Sequence, residues 1–415
     1  MAVVKPFPAV RPRSELAHHT AAPPYDVLSS DEARKMAQGN PLSFLHINKP
    51  EIDLGPSVSH YSPEVYQKGR DNLHEMIEAG YLCQDNTPCF YIYRLTMEGR
   101  AQTGLVCLTA VEDYDTGVIR RHEHTRPDKV KDRCEHILAV GAQVGPVLST
   151  FRTHAEIEKM LAHASSGKPE YDFVGEHSVH HQLWVISDST SIDSLAELFS
   201  KVDHLYIADG HHRSQAASEN RKLLKAGNVG HTGREQYNFF LNVLFSEREL
   251  HIMPYNRVVR DLHGLSSETL LAKISDAYAP SPSASAVAPK SHGEIGLYTA
   301  GQWYRLAAKN NGHKTAGPAD ALDSAQLTSN ILTPQLGIEN LRTDKRIDFV
   351  GGIRGVEELE RLVNSGEFAI AFSLPAVTVS ELLAVADAGE IMPPKSTWFE
   401  PKLCDGLFVY MTKSL

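Results

Sequence analysis

The chain has 415 residues and a net charge of −10, with 42% hydrophobic and 22% charged residues. This composition is that of an ordinary globular protein, and the negative charge argues against a general nucleic-acid binder, which is normally basic. No run approaches the roughly 18 apolar residues of a membrane span, and the start lacks an apolar signal region, so we expect a cytoplasmic protein. The five cysteines form no C-x-x-C pair and are expected to be reduced.

Helical spacing and short alternating runs predict a mixed structure in the first part of the chain. Ser29 or Ser30 is a favourable N-cap for a helix. Gly80 is a natural stop for a second, longer helix. The predicted elements are a helix over 31–38, a strand over 42–47, a helix from Ser62 to about Glu78, and a hairpin of strands 89–95 and 102–112.

The middle part alternates helices and strands. Pro127 suits the first turn of a helix, because an N–H group at that position has no partner within the helix. The run 237–245 is apolar enough to predict a central strand buried on both faces. The predicted elements are a helix from Pro127 to about Val140, a strand over 144–151, a helix over 155–165, a strand over 180–186, a helix over 192–200 and the strand over 237–245.

The last part begins with a change in composition. Residues 280–292 are rich in proline, serine and alanine and predict a loop. A polar, aromatic, proline-stiffened stretch at 391–403 precedes a final strand over 407–411. The other predicted elements are strands over 294–298 and 303–308 and helices over 324–335, 356–364 and 379–388. We expect three parts, 1–100, 101–250 and 251–415, with the outer two packed over the middle one.

One stretch, Leu205–Arg213, concentrates the chemistry of the chain. It predicts a short apolar strand, a tight turn at Asp209 and Gly210, and a helix that runs to about Lys225. Gly227 is well placed to end that helix, since glycine tolerates the left-handed conformation found after many helices. The turn is therefore expected to lie at a helix N-terminus.

This helix N-terminus is a candidate phosphate site, because unpaired N–H groups and the helix dipole favour an anion there. His211, His212 and Arg213 add hydrogen-bond donors, and Asp209 can hold a divalent cation such as Mg²⁺ or accept a proton. These residues suit a phosphate–metal complex. The alternative is a glycine turn whose histidines cap the helix and whose arginine pairs with Asp209.

Other motifs narrow the chemistry. The chain has neither G-x-x-x-x-G-K-[ST] nor G-x-G-x-x-G, so no P-loop or dinucleotide fold is indicated. Histidine pairs without H-E-x-x-H spacing favour hydrogen-bonding or cationic roles over zinc. Glu123 lies in the cationic stretch Arg121–Thr125, which would keep it ionised and able to accept a proton; the alternative is an exposed charged loop. Lys395–Thr397 is either a surface turn, which the sequence alone favours, or a second contact for phosphate or substrate.

Six short motifs carry a family resemblance. In their order they closely resemble the bacterial family known as domain of unknown function 1015, over essentially the whole chain. The motifs are Pro23–Val27, Phe44–Glu51, His122–Thr125 with Asp132 and Arg133, Ala208–Arg213, Met253–Arg257 and Met392–Thr397.

A more distant resemblance concerns fold and chemistry. A His-Glu pair, a helix, a proline-containing strand and a later Asp-Gly-His-His-Arg turn are similar to the ParB/sulfiredoxin-like superfamily and its free-serine kinases. The resemblance implies an α+β fold, a ParB/sulfiredoxin-like mixed-sheet core with N- and C-terminal α+β extensions. It also implies that Glu123 is the base that activates the serine hydroxyl. The residues that would hold the donor phosphates are Asp209, Gly210, His211, His212 and Arg213.

The resulting hypothesis is a kinase with an alcohol group as acceptor. It would transfer a phosphoryl group from ADP, ATP or pyrophosphate, with Mg²⁺, to a free amino acid, and L-serine is the favoured acceptor. Glu123 and Asp209 are the candidate catalytic residues, and Asp209 is the candidate metal ligand. The candidate substrate-binding residues are Arg121, His122, Arg126, Lys395, Ser396 and Thr397. The long insertion between the motifs and the separate C-terminal part leave donor and substrate open.

The main alternative is a nucleotide- or phosphate-binding regulatory protein without kinase activity. The Glu123 carboxylate favours the kinase, since a pure binder has no need of an anion near phosphates. The net charge of −10 disfavours DNA partitioning, and a sulfiredoxin-like reductase would need a cysteine where the chain has His211 and His212. We expect no nucleic-acid or membrane partner, and a homodimer is an open option.

Overall fold

The computed structural model of the chain describes residues 1–55, 57–309 and 316–413. The chain divides into two compact units. The first unit contains residues 1–121, 125–250 and 401–415, and the second contains residues 122–124 and 251–400. No helix within the described ranges is long and apolar enough to cross a membrane. The three-part division expected from the sequence stays a prediction.

Helices and strands mix along the described chain. The α-helices are α1 (Ala17–Thr20), α2 (Ser30–Ala37), α3 (Leu45–Asn48), α4 (Pro63–Glu78), α5 (Val111–Asp115), α6 (Pro127–Val140), α7 (Ala155–Ala164), α8 (Ser189–Phe199), α9 (His211–Ala226), α10 (Ser267–Ile274), α11 (Asp323–Leu327), α12 (Glu357–Asn364) and α13 (Val379–Asp387). Short 3-10 helices span Ser14–Leu16, Pro50–Asp53, Glu176–Ser178, Gln236–Asn238 and Gly352–Arg354, and a π-helical turn spans Thr328–Leu332.

The strands are short, and most belong to two sheets. They are β1 (Val4–Lys5), β2 (Val10–Pro12), β3 (Leu82–Gln84), β4 (Phe90–Met97), β5 (Arg100–Ala110), β6 (Ile119–Arg120), β7 (Ala142–Gln143), β8 (Val147–Phe151), β9 (Tyr171–Val174), β10 (His180–Ile186), β11 (Leu205–Asp209), β12 (Phe239–Ser246), β13 (Ile252–Met253), β14 (Tyr255–Val259), β15 (Tyr278–Ser283), β16 (Glu294–Thr299), β17 (Gln302–Ala308), β18 (Ile347–Gly351), β19 (Ile370–Ser373), β20 (Trp398–Phe399) and β21 (Tyr410–Met411).

Helix starts follow the capping residues of the sequence. The Ser29 hydroxyl accepts a hydrogen bond from the Glu32 N–H, and the Glu32 carboxylate accepts one from the Ser29 N–H at 2.8 Å, which closes a capping box at α2. Pro63 and Pro127 occupy the first positions of α4 and α6. Gly141 follows α6 in the left-handed conformation, with φ +74°. The predicted helices over these three stretches are confirmed.

The first unit is built on a nine-stranded mixed sheet. Its strand order is β6-β11-β8-β12-β5-β4-β10-β9, and β1 pairs with β5 outside this order. β12 lies antiparallel to β5 and parallel to β8, and each of its residues is buried, which confirms the predicted central strand. In the main hydrophobic cluster, Phe151 and Phe199 meet edge to face with ring centroids 5.2 Å apart.

A second hydrophobic cluster joins the N-terminal helices to the last strand. It contains Leu73 of α4 and Met411 of β21. β21 pairs antiparallel with β7, and Val409 forms a bridge with Val10. The segment after residue 400 therefore completes the first unit.

The second unit is built on a six-stranded antiparallel sheet in the order β15-β17-β16-β19-β14-β18. Val258 and Val259 are consecutive on β14 and belong to different hydrophobic clusters, so both faces of the sheet are covered. β13 pairs antiparallel with β20, and Ile252 lies opposite Phe399. The two ends of the segment 251–400 are thus joined by a pair of strands.

The strand predicted over 42–47 is wrong. The Ser43 N–H donates to the Asn40 carbonyl oxygen at 3.1 Å, which closes a turn, and the chain continues as α3. A short apolar run does not by itself distinguish a strand from a helical turn. Here the local turn decides.

Four further predictions need correction. The stretch 280–292, expected as a loop, begins inside β15, whose prolines are tolerated because β15 lies at the edge of its sheet. The helix expected over 324–335 is divided into α11 and the π-helical turn. The strand expected over 407–411 shortens to β21. Gly227 follows α9 with φ −85°, so it does not adopt the left-handed conformation.

Deleting residues 401–415 should destabilise the first unit. The deletion removes Leu407, Phe408 and Val409, which are at most 1% exposed, and each such side chain contributes about 1.5–3 kcal/mol through burial. We expect the melting temperature, measured by circular dichroism, to fall by more than about 10 °C. A matched deletion of residues 414–415 should melt like the full chain. Equal melting of the two deletion variants would contradict the structural role of this segment.

Candidate functional site

The strand, turn and helix predicted around Asp209 are confirmed. β11 ends at Asp209, and α9 begins at His211. The register of β11 against β8 shifts between Ile207 and Asp209, an irregularity of the kind that re-aims a side chain at the end of a strand. Gly210 has φ +93°, and a Cβ at this position would lie 3.3 Å from the Cα of Val147. Both its conformation and the close approach of the chain therefore require a glycine.

Asp209 is an ionised carboxylate held by cationic partners. Lys402 Nζ lies 3.1 Å from its Oδ2, and the Gly210 N–H donates to its Oδ1 at 2.9 Å. Burial would raise the pKa of Asp209, but Lys402 and Arg213 outweigh that effect and hold the pKa well below its ordinary value. The turn thus combines a fixed negative charge with two positive ones.

The two histidines after Gly210 have different environments. His211 is buried, and burial lowers its pKa to about 4 despite the nearby Asp209. Its ring is neutral at neutral pH and can donate a hydrogen bond but not a positive charge. His212 Nε2 accepts a hydrogen bond from the Arg126 N–H at 3.0 Å, immediately before α6. His212 therefore ties the start of α9 to the start of α6.

Arg213 connects the turn to a cavity inside the first unit. Its Nη1 donates to the Pro146 carbonyl oxygen. Burial lowers the pKa of the guanidinium, whereas the carboxylates of Asp26, Asp405 and Asp209 raise it, and the balance is a raised pKa. Arg213 is thus a permanent cation among three acidic groups.

The cavity beside Arg213 is small, and both polar and apolar side chains line it. Its volume is about 30 Å³, which is room for one or two groups the size of a water molecule. Among the residues that line this cavity, three buried atoms have no hydrogen-bond partner within the part of the chain that the structure describes, namely Asn48 Oδ1, Arg213 Nε and Asp405 Oδ1. Such atoms are rare in folded proteins. The polar lining includes Tyr25, Asn48, Arg133, His136, Arg213 and Asp405.

Motifs that are far apart in the sequence meet at this cavity. Tyr25 belongs to the Pro-Pro-Tyr-Asp-Val motif, Asn48 to the His-Ile-Asn-Lys-Pro motif, and Arg133 to α6. The Arg133 guanidinium lies 3.9 Å from the centroid of the Tyr25 ring and 2.7 Å from an Asp132 carboxylate oxygen. Arg133 therefore has both a stacking partner and a counter-ion.

Asp405 is 2% exposed and firmly held. Asn48 Nδ2 donates to its Oδ2 at 2.8 Å, and its backbone exchanges two hydrogen bonds with that of Ala22. Its Oδ1 lies against Gly145, where a Cβ would approach to 2.7 Å. Burial raises the pKa of the Asp405 carboxyl to about 7, against the lowering effect of Arg213. Asp405 consequently titrates near neutral pH.

Arg121 and Arg126, which the sequence suggests as substrate contacts, have partners within the first unit. The Arg121 guanidinium lies 5.0 Å from the centroid of the Tyr114 ring. Arg126 Nη2 lies 2.7 Å from Asp128 Oδ2, and the Arg126 side chain is 62% exposed. Neither arginine lines the cavity. Their role in substrate binding stays a prediction.

Glu123 and His122 group with the second unit, whereas Asp209 belongs to the first. His122 is buried, and its carbonyl oxygen accepts a hydrogen bond from the Met392 N–H at 2.9 Å. Glu123 is half-buried. The joint action of Glu123 and Asp209 in one reaction stays a prediction.

The other three predicted contacts lie in the second unit, in a loop before β20. Lys395 has φ +59°, and its Nζ lies 5.6 Å from the centroid of the Tyr255 ring. Ser396 Oγ lies 3.0 Å from Ser324 Oγ, and both residues line a cavity of about 10 Å³. Thr397 is half-buried. Contact between these residues and a substrate stays a prediction.

A family model described as Protein of unknown function (DUF1015) matches residues 4–325. The chain belongs to this family. The family membership expected from the sequence is confirmed. Lys402 and Asp405 lie beyond the residues that this DUF1015 protein shares with the family model.

Solved structures resemble this DUF1015 protein at low identity. A conserved hypothetical protein from Pyrococcus furiosus has 13% identity and a TM-score of 0.35, over 74% of this chain and 95% of the other. A free serine kinase in complex with AMP has 12% identity and a TM-score of 0.36, over 73% and 91%. SbnI with a C-terminal truncation, from Staphylococcus aureus, has 12% identity and a TM-score of 0.39, over 74% and 87%. No curated protein sequence matches the chain.

Sequence reasoning missed Lys402 and Asp405 as site residues. Lys402 is 193 positions from Asp209, and Asp405 is 357 positions from Asn48. Contacts between residues so far apart in the chain produce no short motif in the sequence. The available signal was the polar, proline-stiffened stretch 391–403, whose last residues include Lys402.

Replacing Asp405 by asparagine should change how stability depends on pH. The carboxyl pKa of about 7 in the folded chain exceeds the ordinary value of about 3.9. The stability that Asp405 contributes is therefore complete below about pH 4 and is lost as the pH rises through about 7. Between about pH 5 and 8, we expect the melting temperature of the wild type to fall relative to that of Asp405→Asn.

The matched control is Asp203→Asn, at an exposed position of the first unit. It should follow the wild type at every pH. Parallel curves for the wild type and Asp405→Asn would show that the Asp405 pKa is not raised.

Proposed function

We propose that this DUF1015 protein is a phosphotransferase that transfers a phosphoryl group to the hydroxyl of a free amino acid, with L-serine as the favoured acceptor. The donor would be ADP, ATP or pyrophosphate. The observation that carries the proposal is the start of α9, where Asp209, Lys402 and Arg213 meet at a helix N-terminus. The proposal includes a ParB/sulfiredoxin-like description of the mixed sheet.

The start of α9 has the charge distribution that a donor phosphate needs. The first N–H groups of a helix lack acceptors within the helix, and the helix dipole favours an anion in front of them. Lys402 adds an ammonium group and Arg213 a guanidinium, while the neutral His211 can add a hydrogen-bond donor. Phosphoryl transfer depends chiefly on positioning and on neutralising the charge of the phosphates. These groups supply that neutralisation.

The proposal leaves the need for Mg²⁺ at Asp209 to be tested by experiment. Asp209 Oδ2 already pairs with Lys402, and Oδ1 accepts from the Gly210 N–H. As placed, these groups do not form a magnesium site, because an ammonium group stands where the ion would bind. The proposed chemistry therefore uses the positive charge of Lys402, and omission of Mg²⁺ from the assay measures whether the ion is needed.

Glu123 is the proposed acceptor of the proton that leaves the substrate hydroxyl. Its support is the sequence resemblance, in which Glu123 follows His122 as the glutamate follows the histidine in free-serine kinases. A half-buried carboxylate can act as a general base. Loss of the hydroxyl proton to Glu123 would accompany attack of the serine oxygen on the terminal phosphorus of the donor. The bond from that phosphorus to its bridging oxygen would break, which releases AMP from ADP, ADP from ATP or phosphate from pyrophosphate.

A direct assay tests the proposed reaction. The full chain is incubated with L-serine and with ADP, ATP or pyrophosphate, with and without Mg²⁺, and O-phosphoserine is measured by mass spectrometry. Product that depends on the protein and on one donor would support the proposal. A nucleotide or pyrophosphate that raises the melting temperature, without product from any hydroxy amino acid, would instead support a regulatory binder.

Glu123→Gln should transfer phosphate about 10²–10⁴-fold more slowly than the wild type. The amide keeps the shape of the side chain and loses the proton acceptor, so the loss should appear in kcat more than in KM. Steady-state kinetics measure both. Glu339→Gln, at an exposed position of the same unit, should keep the wild-type kcat. Near-normal turnover of Glu123→Gln would exclude Glu123 as the base.

Lys402→Met should weaken donor binding by about ten- to a hundredfold, since a hydrogen bond to a charged group contributes about 1.5–3 kcal/mol. The change also removes one of the two cations that compensate the charge of the Asp209 carboxylate. Isothermal titration of ADP or pyrophosphate measures the affinity. Lys131→Met, at an exposed position of α6, is the matched control. Unchanged donor affinity in Lys402→Met would remove Lys402 from the donor site.

A further inference from the structure

One segment of the second unit, residues 392–396, contacts the main chain of the proposed base. We call it the proline segment. The Met392 N–H donates to the His122 carbonyl oxygen at 2.9 Å. That oxygen belongs to the peptide group between His122 and Glu123, which is planar and includes the Glu123 Cα. The hydrogen bond therefore fixes the orientation of the main chain from which the Glu123 side chain projects.

Ser396 holds the end of the proline segment. Its hydroxyl donates to the Pro393 carbonyl oxygen at 2.7 Å, and the residue is 7% exposed. A serine hydroxyl has one proton, so the donor in the 3.0 Å contact between Ser396 Oγ and Ser324 Oγ is Ser324. Ser396 thus links the segment to α11, and its hydroxyl has no second proton to donate to a substrate.

Arg257 of β14 lies under the middle of the proline segment. It is 1% exposed. Its Nη1 donates to the Tyr255 carbonyl oxygen, and its Nη2 lies 3.5 Å from the Pro394 carbonyl oxygen. Burial lowers the pKa of the guanidinium to about 10, and no carboxylate of the described residues opposes that effect. Main-chain carbonyl oxygens therefore take the place of a counter-ion, so loss of these contacts would be unfavourable.

The main chain of the proline segment is stiff. The rings of Pro393 and Pro394 restrict their φ angles. Lys395 has φ +59°, a conformation that a residue other than glycine keeps only where its surroundings hold it. A stiff segment transmits a displacement at one end to the other, so the contacts of Ser396 also determine where Met392 lies.

We propose that Ser396 is a positioning residue, which together with Arg257 holds the proline segment against the peptide group between His122 and Glu123 and so places the Glu123 carboxylate for proton transfer. The inference rests on the proposed function, in which Glu123 is the base. It gives Ser396 a role through the main chain rather than through contact with a substrate. A reacting group misplaced by about 1 Å can cost about a hundredfold in rate, so weaker contacts should slow the chemical step.

Ser396→Ala should lower the kcat for O-phosphoserine formation about ten- to a hundredfold and leave the KM values within about threefold of the wild type. Ser291→Ala, at an exposed position of the same unit, is the matched control. Adding Ser396→Ala to Glu123→Gln should lower kcat little further, because no base remains to be positioned. A full additional loss in the double variant would show that Ser396 acts independently of Glu123 and would overturn the inference.

Hydrogen–deuterium exchange, measured by mass spectrometry, tests the same contacts without turnover. Pro393 and Pro394 carry no amide hydrogen, so a peptide over this stretch reports chiefly the Met392 N–H. We expect this amide to exchange at least about tenfold faster in Ser396→Ala than in the wild type or the control. If circular dichroism shows that Ser396→Ala misfolds, Ser324→Ala replaces it in both experiments, since that change removes only the donor to Ser396 Oγ.

The two measurements separate this inference from the proposed function. Faster exchange at Met392, in a protein whose wild type transfers no phosphoryl group, would support the anchoring of Glu123 and contradict the kinase. Wild-type kcat in folded Ser396→Ala would overturn the inference and leave the kinase in place, and a raised KM for L-serine beside it would indicate substrate contact instead. Unchanged exchange at Met392 would overturn the inference whatever the kinetics show.

Discussion

A guanidinium among carboxylates governs the polar interior of the first unit. Arg213 lies among Asp26, Asp209 and Asp405, whose charges outweigh the effect of its burial. Burial of a charge is unfavourable unless opposite charges compensate it. Arginine does not lose its proton in proteins, so its side chain stays charged when it is buried. Its permanent charge in turn keeps Asp209 ionised and opposes the raised pKa of Asp405. The turn before α9 and the cavity are therefore one electrostatic system.

Segments from both ends of the chain supply the rest of this system. Tyr25 and Asn48 come from the first fifty residues, and Lys402 and Asp405 come from the last fifteen. Main-chain pairing between Ala22 and Asp405 brings these segments together. The polar groups are thus held by backbone hydrogen bonds of the fold, which keeps them in place before any ligand arrives.

Local chemistry explains what the sequence predicted well. A serine that can cap a helix, a proline in a first turn and a glycine after an aspartate each act on their own neighbours, and α2, α6 and the Asp209–Gly210 turn appear where they were expected. The six motifs were also sufficient to identify the family. In the candidate site, the strand, turn and helix that carry Asp209, Gly210 and Arg213 were predicted correctly.

What the sequence did not reveal concerns burial, long-range pairing and one local turn. The charge state of His211 follows from burial, which a motif does not reveal. The partnership of Lys402 with Asp209 depends on the completed fold. The short segment at 42–47 was decided by a turn rather than by its alternating polarity. The role of Glu123 as a general base is proposed from the sequence resemblance alone.

The pairing of β13 with β20 bears on the order in which the protein folds. Residues 251–400 interrupt the first unit, and closing a flexible loop of that length would cost about 4 kcal/mol in chain entropy. Once the second unit has folded, Ile252 and Phe399 lie opposite each other, so the interruption becomes a short closed connection. The entropy cost of bringing Lys402 to Asp209 is then smaller. A substitution that slows folding of the inserted segment alone should therefore also delay assembly of the charged interior around Arg213.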